Sequence, residues 1–431
     1  MSAVASGVSA ARECAYAVVR RVFEHDAYAD RVFHAEAGSR HLEGRDLAFA
    51  MALAYGTVQR KATLDHVAAA FTDRPLTRLD APVLAAVRLG LMQVLWMDGV
   101  ADHAAVHESV ELAKRHARAG SGLVNAVLRR ALREGRDLIG ELDDETPAHA
   151  AVLHSVPVWL AELWWSELGA DRARALLATV NHPAESAVRV NTIVASVEEV
   201  AAGLAGVGTR PVAGLPEGLV LEGAFDAYAS PQWGRGELMP QSRGSMVVAR
   251  SLAPRPGDRV LDLCAAPGAK TTHLAALAGD EGELVAVERH AGRAEALRRT
   301  VERMHVRSVT VETGDAGATR VGGQFDRVLV DPPCSGLGTL QSRPDLRWRT
   351  SPDRIADLAL QQARILAAGA AATRPSGTLV YSVCTISRAE SEAVVDGFLT
   401  DHPGWEAEAP LRLAPDTDGT DGFFIARLRR V

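Results

Sequence analysis

The sequence predicts an α/β protein: a mostly parallel, doubly wound sheet at the C-terminus, preceded by an all-helical module and a small α+β domain. Three observations carry that expectation. From Ala10 to about Arg136 the apolar residues recur at helical spacing, with little strand signal. The segment Glu141 to Pro147 is acidic and turn-rich and breaks that pattern. From Arg259 onward, short β-branched runs alternate with helical or loop stretches, which is the pattern of parallel strands joined by crossovers. The chain of 431 residues, at roughly 150 per domain, is expected to form three domains, with boundaries at 8–140, 150–240 and 241–431.

Taken in order, Ala48-Phe-Ala-Met-Ala-Leu-Ala-Tyr55 and Val83 to Trp96 are amphipathic helices of the first module. Val156 to Val180 is again helical and carries Trp159, Trp164 and Trp165. Ala187-Val-Arg-Val-Asn-Thr-Ile193 is β-branched and predicts a strand of the small mixed domain, which runs to about Pro240. Buried strands follow at Arg259–Cys264, Glu283–Glu288, Val309–Glu312, Phe325–Val330 and Gly377–Cys384. Their near-continuous apolar character suits strands covered on both faces. Gly422 to Arg429 adds a late strand, expected to run antiparallel.

Composition narrows the function classes. Charged residues are 23% and the hydrophobic set 47%, as in ordinary globular proteins. There is no apolar run of about eighteen residues, and Met1 to Ala11 carries neither a basic leader nor a hydrophobic stretch. Membrane spanning and secretion are disfavoured, and a cytoplasmic protein is expected. The four cysteines, at 14, 264, 334 and 384, form no Cys-x-x-Cys pair and have no His at zinc-site spacing, so a reduced compartment and no metal are expected. A net charge of −7 excludes a uniformly basic coat but leaves room for a local basic face.

Ligands of open α/β sheets lie beyond the carboxyl ends of the strands. There the sequence places Cys264-Ala-Ala-Pro-Gly-Ala-Lys270, then Glu288, Asp315, Asp331-Pro-Pro-Cys334 and Cys384. The loop of Cys264, Ala265, Ala266, Pro267, Gly268, Ala269 and Lys270 is small enough for close backbone approach. It lacks both the Gly-x-Gly-x-x-Gly of a dinucleotide site and the spacing of a P-loop, which disfavours NAD and ATP hydrolysis. Glu288 follows Gly268 at about the twenty-residue spacing of an acid that accepts from ribose hydroxyls. A nucleoside ligand without pyrophosphate fits, and S-adenosylmethionine is the commonest such cofactor.

Asp-Pro-Pro rigidifies a loop that must meet a flat base, but Cys334 stands where amine methyltransferases usually place an aromatic. Cysteine brings covalent or proton chemistry instead. Carbon-5 of cytosine is a poor nucleophile. A thiolate added at carbon-6 converts the ring to an enamine that can attack a methyl sulfonium, and an acid at ring nitrogen-3, placed as Asp331 is, lowers the cost of that intermediate. Residue types alone leave open which of Cys334 and Cys384 attacks. Cys14 and Cys264 are read as small buried hydrophobes.

The motifs Asp262-Leu-Cys-Ala-Ala-Pro-Gly-Ala-Lys-Thr-Thr272, Asp331-Pro-Pro-Cys-Ser-Gly336, Tyr381-Ser-Val-Cys-Thr385, Arg189-Val-Asn-Thr192 and Asp421-Gly-Phe-Phe424 resemble those of the Sun/NOL/NOP family of S-adenosylmethionine-dependent RNA cytosine-C5 methyltransferases. The helical part, with Gly44-Arg-Asp-Leu-Ala-Phe49, Ala54-Tyr-Gly56, Leu89-Gly-Leu-Met-Gln93 and Leu123-Val-Asn-Ala-Val-Leu-Arg-Arg130, is similar to the NusB-like RNA-binding module. That fusion is the arrangement of the family's bacterial small-subunit (16S) rRNA methyltransferases. The resemblance implies a Rossmann-like methyltransferase sheet and a monomer acting on a single-stranded or loop cytosine of 16S rRNA. It further implies Cys384 as the nucleophile, Cys334 as the group that helps release product, Asp331 as the residue that holds the base, and a cofactor site lined by 264–270, Glu288, Asp315 and Asp331. Ala269, Val383, Ser242 and Glu288 depart from the family's usual glycine, threonine, aspartate and aspartate. A non-catalytic RNA-binding or antitermination factor would suit the helical half, but both cysteines and Asp331 are present. An amine methyltransferase is opposed by Cys334.

For RNA, Lys114, Arg115, Arg118, Arg129, Arg130 and Arg133 form a basic run with no acid between them, although such a run is often only a solvated helix face. Arg343-Pro-Asp-Leu-Arg-Trp-Arg349 follows the Asp-Pro-Pro-Cys loop closely, so Arg343, Arg347 and Trp348 are expected to contact phosphate or stack on a base.

Overall fold

The computed structural model describes residues 7–223, 225–318 and 324–431; Met1 to Ser6 of the N-terminal stretch read above lie outside the described residues. The chain forms two compact units. The first is the chain up to His182 together with Leu340–Thr350, and the second is Pro183–Thr339 with Ser351–Val431. The stretch 150–240 is thus divided at His182: its helices up to Thr179 fall in the first unit, and its strands, with the short helices Val197–Gly203 and Pro231–Gly234, in the second. Among the described residues, no helix is long and apolar enough to cross a membrane.

The first unit is helical. Its central helix, Ala81–Trp96, is buried from Val83 to Leu95 except at Leu84, because apolar residues lie all round it. The helix Ser121–Gly140 is amphipathic instead: Val124, Val127, Leu128 and Ala131 form its buried stripe, at helical spacing. The two helices meet closely at Gly90, where an added Cβ would lie 2.4 Å from Leu128 Cδ1. The single helix expected over Val156–Val180 is two helices, Val158–Leu168 and Ala170–Thr179, because Gly169 at φ +81° breaks it. Thr146 caps the helix Pro147–Leu153, which ends the acidic turn.

The second unit holds two sheets. The smaller consists of β1 (Ala187–Val190), β2 (Thr209–Val212), β3 (Leu215–Leu221) and β4 (Leu238–Pro240), in the antiparallel order β2-β3-β1-β4. The larger is built on β5 (Arg259–Asp262), β6 (Glu283–Glu288), β7 (Val309–Thr313), β8 (Phe325–Val330) and β9 (Thr373–Val383). These five are parallel in the order β9-β8-β5-β6-β7. β12 (Phe423–Arg430) runs antiparallel beside β9, with β10 (Trp405–Ala407) and β11 (Leu411–Leu413) paired to it. Sequence patterning does not predict β10 and β11, since three-residue segments with charged members such as Glu406 and Arg412 give no apolar run.

Alternation along the strands builds two cores. Leu261, Val285, Val287, Val328, Val330, Leu379 and Tyr381 pack on one face, and Val260, Leu284, Ala286, Leu329 and Val380 on the other. Covered on both faces, the inner strands are apolar in their middles and carry Asp262, Glu288 and, just past β8, Asp331 at the carboxyl ends, where the site lies. Arg259, Glu283 and Asp326 stand toward the opposite ends, and the edge strand β7 is exposed at Thr310, Glu312 and Thr313.

Candidate active site

At the end of β5 the chain turns through Leu263 to Gly268 into the helix Ala269–Leu277. Leu263 N–H donates to Leu329 and Ala265 N–H to Val287, which ties the loop to both neighbouring strands. Gly268 sits at φ +107°, and a Cβ there would come within 2.7 Å of Leu297 Cδ1. Its backbone requires glycine on both counts. Ala269 is the first helical residue, so its methyl replaces the usual glycine without positive-φ strain. Thr272 Oγ1 donates to Gly268 O at 2.8 Å and accepts from Arg189 Nη2 at 2.9 Å. Thr271 Oγ1 donates to Asp262 Oδ2 at 2.7 Å. Burial, partly offset by that bond, pushes the Asp262 carboxyl up to about 6, and its Oδ1 is buried without a hydrogen-bond partner among the described residues.

Glu288 closes β6 and is 4% exposed; its Oε1 accepts from His290 N–H at 2.9 Å, while Oε2 lies 3.6 Å from Arg293 Nη2. Asp315 follows β7, is half-exposed, and accepts from Gly317 N–H at 3.0 Å. Cys264 is largely buried. Burial, then the charges of Asp262, Asp331 and Glu288, push its thiol well above the ordinary range, which makes it a poor nucleophile. Among the described residues no three His, Cys, Asp or Glu side chains cluster as metal ligands.

Asp331 follows β8 directly and spends both oxygens: Oδ2 accepts from Lys270 Nζ at 2.7 Å and Oδ1 from Ser382 Oγ at 2.7 Å. Burial works against the Lys270 ammonium, but the charges of Asp331 and Cys384 outweigh it and raise its pKa. Cys334 Sγ and Cys384 Sγ stand 3.3 Å apart and unbonded. The contact with Cys384 holds the Cys334 thiol well above its usual range, with burial and the charges of Cys384, Glu390 and Asp331 adding to it. The structure therefore joins two sulfurs, a carboxylate and an ammonium drawn from β8, β9 and the helix after β5. Such a set can add a thiolate to an electrophilic ring and hold a polar ring edge.

Two partners of Asp331 are not marked as such by the sequence patterns. Lys270 is expected only as part of the cofactor loop, and Ser382 only as a member of the Tyr381–Thr385 motif with no role of its own, although it sits two residues before Cys384 in the period-2 pattern that β9 begins. Val383 is fully buried in the apolar core, which suits valine at that position. Ser242 caps the helix Arg243–Leu252 through Ser245 N–H.

The expectation for Arg347 is corrected. Arg347 and Trp348 both belong to the helical unit. Arg347 is fully buried: Nη1 donates to Gln59 O, Ser155 O and Asn181 Oδ1, and Nη2 to Val180 O and Leu340 O. Trp348 Nε1 donates to Val58 O at 2.7 Å, and Lys61 Nζ lies 4.6 Å from the ring centroid. Buried, with both amino groups bonded to the protein, Arg347 anchors the segment and is not placed to meet phosphate; the Trp348 ring is half-buried. Arg343 is exposed. The basic run is a solvated surface with partners of its own: Lys114 pairs with Glu111, Arg115 with Glu13, and Arg130 and Arg133 with Glu134. Arg129 donates to Asn125.

Residues 249–429 match the family model of the 16S rRNA methyltransferase RsmB/F, residues 9–133 that of the NusB family, and residues 156–228 that of an RsmF/B-like ferredoxin-like domain. The chain is 36% identical to the probable ribosomal RNA small subunit methyltransferase B of Synechocystis sp., over 97% of this chain and 99% of the relative. It is 36% identical to ribosomal RNA small subunit methyltransferase B of Thermus thermophilus, over 90% of this chain and 89% of the relative. The crystal structure of PH0851 superposes with a TM-score of 0.84 at 26% identity, covering 98% of this chain and 99% of that one.

Proposed function

The chain belongs to the RsmB/F family of 16S rRNA methyltransferases, and on that premise we propose that it methylates carbon-5 of a cytosine in 16S rRNA through a transient bond between Cys384 and carbon-6 of the base. The observation that carries the reading is the pair of sulfurs 3.3 Å apart beside the Lys270–Asp331 ion pair. An amine methyltransferase has no use for two adjacent thiols.

S-adenosylmethionine, as methyl donor, would supply an electrophilic methyl group. The residues at the strand ends fit it: a loop of small side chains drawn tight at Gly268, and Glu288 as a buried acceptor at the end of β6. Residues 264–270, Glu288 and Asp315 would hold it. Cys384 gives up its proton and adds as thiolate to carbon-6. Asp331, oriented by Lys270 and Ser382, passes a proton to nitrogen-3 as the bond forms, so that negative charge does not build on the ring, and takes it back when the adduct collapses. The electron pair moves to carbon-5, which becomes nucleophilic and takes the methyl. Loss of the carbon-5 proton re-forms the double bond as the carbon–sulfur bond breaks, and Cys334, in contact with the departing sulfur, assists that release. The target cytosine is unpaired or extruded, since its reacting carbons are otherwise stacked. Lys114, Arg115, Arg118, Arg129, Arg130, Arg133 and Arg343 are the exposed cations proposed to hold phosphates.

An RNA carrying 5-fluorocytosine tests this, because fluorine at carbon-5 blocks the last step and traps the adduct. The wild-type protein is expected to form a stable adduct mapped to Cys384. Cys384→Ala should abolish the adduct and lower methyl transfer by ~1000-fold or more. Methyl transfer by Cys384→Ala at the wild-type rate would overturn the proposal.

A further inference from the structure

The residues just beyond the two cysteines share one partner. Ser335, next after Cys334, donates its N–H to Glu390 Oε1 at 2.8 Å and its hydroxyl to Oε2. Thr385, next after Cys384, meets Ser335 Oγ at 2.7 Å and Glu390 Oε2 at 3.3 Å. Gln362 donates from Nε2 both to Glu390 Oε1 at 3.0 Å and to Pro333 O at 2.9 Å, just before Cys334. Tyr381 OH lies within donating distance of the Glu390 backbone carbonyl and of Gln362 Oε1. Glu390 is fully buried, and its carboxyl accepts from the Ser335 N–H and hydroxyl and from the Gln362 amide.

A buried carboxylate is costly unless it is fully hydrogen-bonded, and a purely structural role would be served more cheaply by an apolar residue. Here Glu390 bonds the residue that follows each sulfur, and its charge adds to the contact with Cys384 and the burial that hold the Cys334 thiol up.

We infer that Glu390 is a positioning residue: its carboxyl clamps the two cysteine-bearing loops together one residue beyond each sulfur and so sets how the sulfurs meet at the reacting carbon. This rests on the reading of Cys384 as nucleophile and deepens it, since one group fixes the spacing of both sulfurs.

The test compares Glu390→Gln, Glu390→Asp and Ser335→Ala by two readouts. The first is iodoacetamide alkylation of Cys334 against pH, read by peptide mass spectrometry in a Cys384→Ser background. The second is methyl-transfer kinetics with Cys384 intact. Glu390→Gln should raise alkylation of Cys334 near neutral pH by about tenfold, moving its profile to lower pH. It should also lower kcat by about tenfold or more, with KM for RNA within about twofold. Glu390→Asp should restore the alkylation profile without restoring kcat, because the shorter side chain cannot reach both loops. If Glu390→Gln fails to fold, Ser335→Ala carries the positioning claim, with kcat expected to fall and the profile unmoved. A folded Glu390→Gln protein with the wild-type profile and kcat, or a Ser335→Ala protein with wild-type kcat, would overturn the inference. Absence of a fluorocytosine adduct in the wild-type protein would instead remove the role of Cys384, while the alkylation comparison would still read the effect of Glu390 on Cys334.

Discussion

Arg347 and the group Arg129, Arg130 and Arg133 carry the same charge within the same helical unit, yet their surroundings are opposite. Arg347 is fully buried, and its amino groups donate to four backbone carbonyls and the side-chain oxygen of Asn181. Burial, the Arg60 charge adding, lowers its pKa to about 9, still high enough to keep it charged at neutral pH. The other three stand in solvent on the outer face of Ser121–Gly140, bonded to Asn125 and Glu134 of the same helix, with Arg130 also 4.9 Å from the Phe71 ring centroid. A guanidinium surrounded by carbonyls is a structural tie, because removing it strands the acceptors. One held by exposed acids is available, since such pairs contribute little and exchange readily for phosphates.

That contrast can be broken in graded steps. The largest effect is expected from Arg347→Ala, which should cost about 3 kcal/mol or more in denaturant unfolding, as losses of buried charged partners do. Its folded fraction should bind RNA as the wild type does. A mutant of unchanged stability with weakened RNA binding would restore the phosphate-binding role withdrawn above. Next, replacing Arg129, Arg130 and Arg133 together by alanine should leave the melting temperature nearly unchanged and weaken RNA binding by about tenfold at moderate salt. The dependence of log K on log salt should flatten by roughly one for each phosphate the variant no longer neutralises. Titration at several salt concentrations checks this, and an unaltered slope would mark the run as a mere solvated face. The smallest step is Trp348→Phe, which keeps an aromatic ring but leaves Val58 O without its donor. A loss of about 1 kcal/mol is expected in thermal or urea unfolding, with no change in RNA affinity.

The same contrast shows why some features were legible in the sequence and others were not. Every strand expected in the large sheet is present, because apolar runs bounded by turn residues are local patterns, and the fold only had to align them. The convergence of Cys264, Glu288, Asp315, Asp331, Cys334 and Cys384 on one rim follows from the parallel order alone. Arg347 misleads because nearness in sequence to the Asp-Pro-Pro-Cys loop does not decide its partners: the chain passes from the second unit into the helical one over Leu340–Thr350, where Arg347 is buried. Arg189, singled out with its motif, has a partner 83 positions away in Thr272, and no spacing rule announces such a bond.

The sequence by itself determined the helical and parallel-sheet layers and the chemical types assembled at the strand ends, because hydrophobic period and strand-terminal residues are encoded within a few positions of one another. Only the tertiary structure decided that Lys270 and Ser382 share Asp331 and that Glu390 joins the loops of both cysteines. It alone decided that Arg347 is a buried tie rather than a phosphate ligand. Each of those outcomes is a hydrogen bond between residues remote in the chain, and its energy exists only once folding has removed both groups from water.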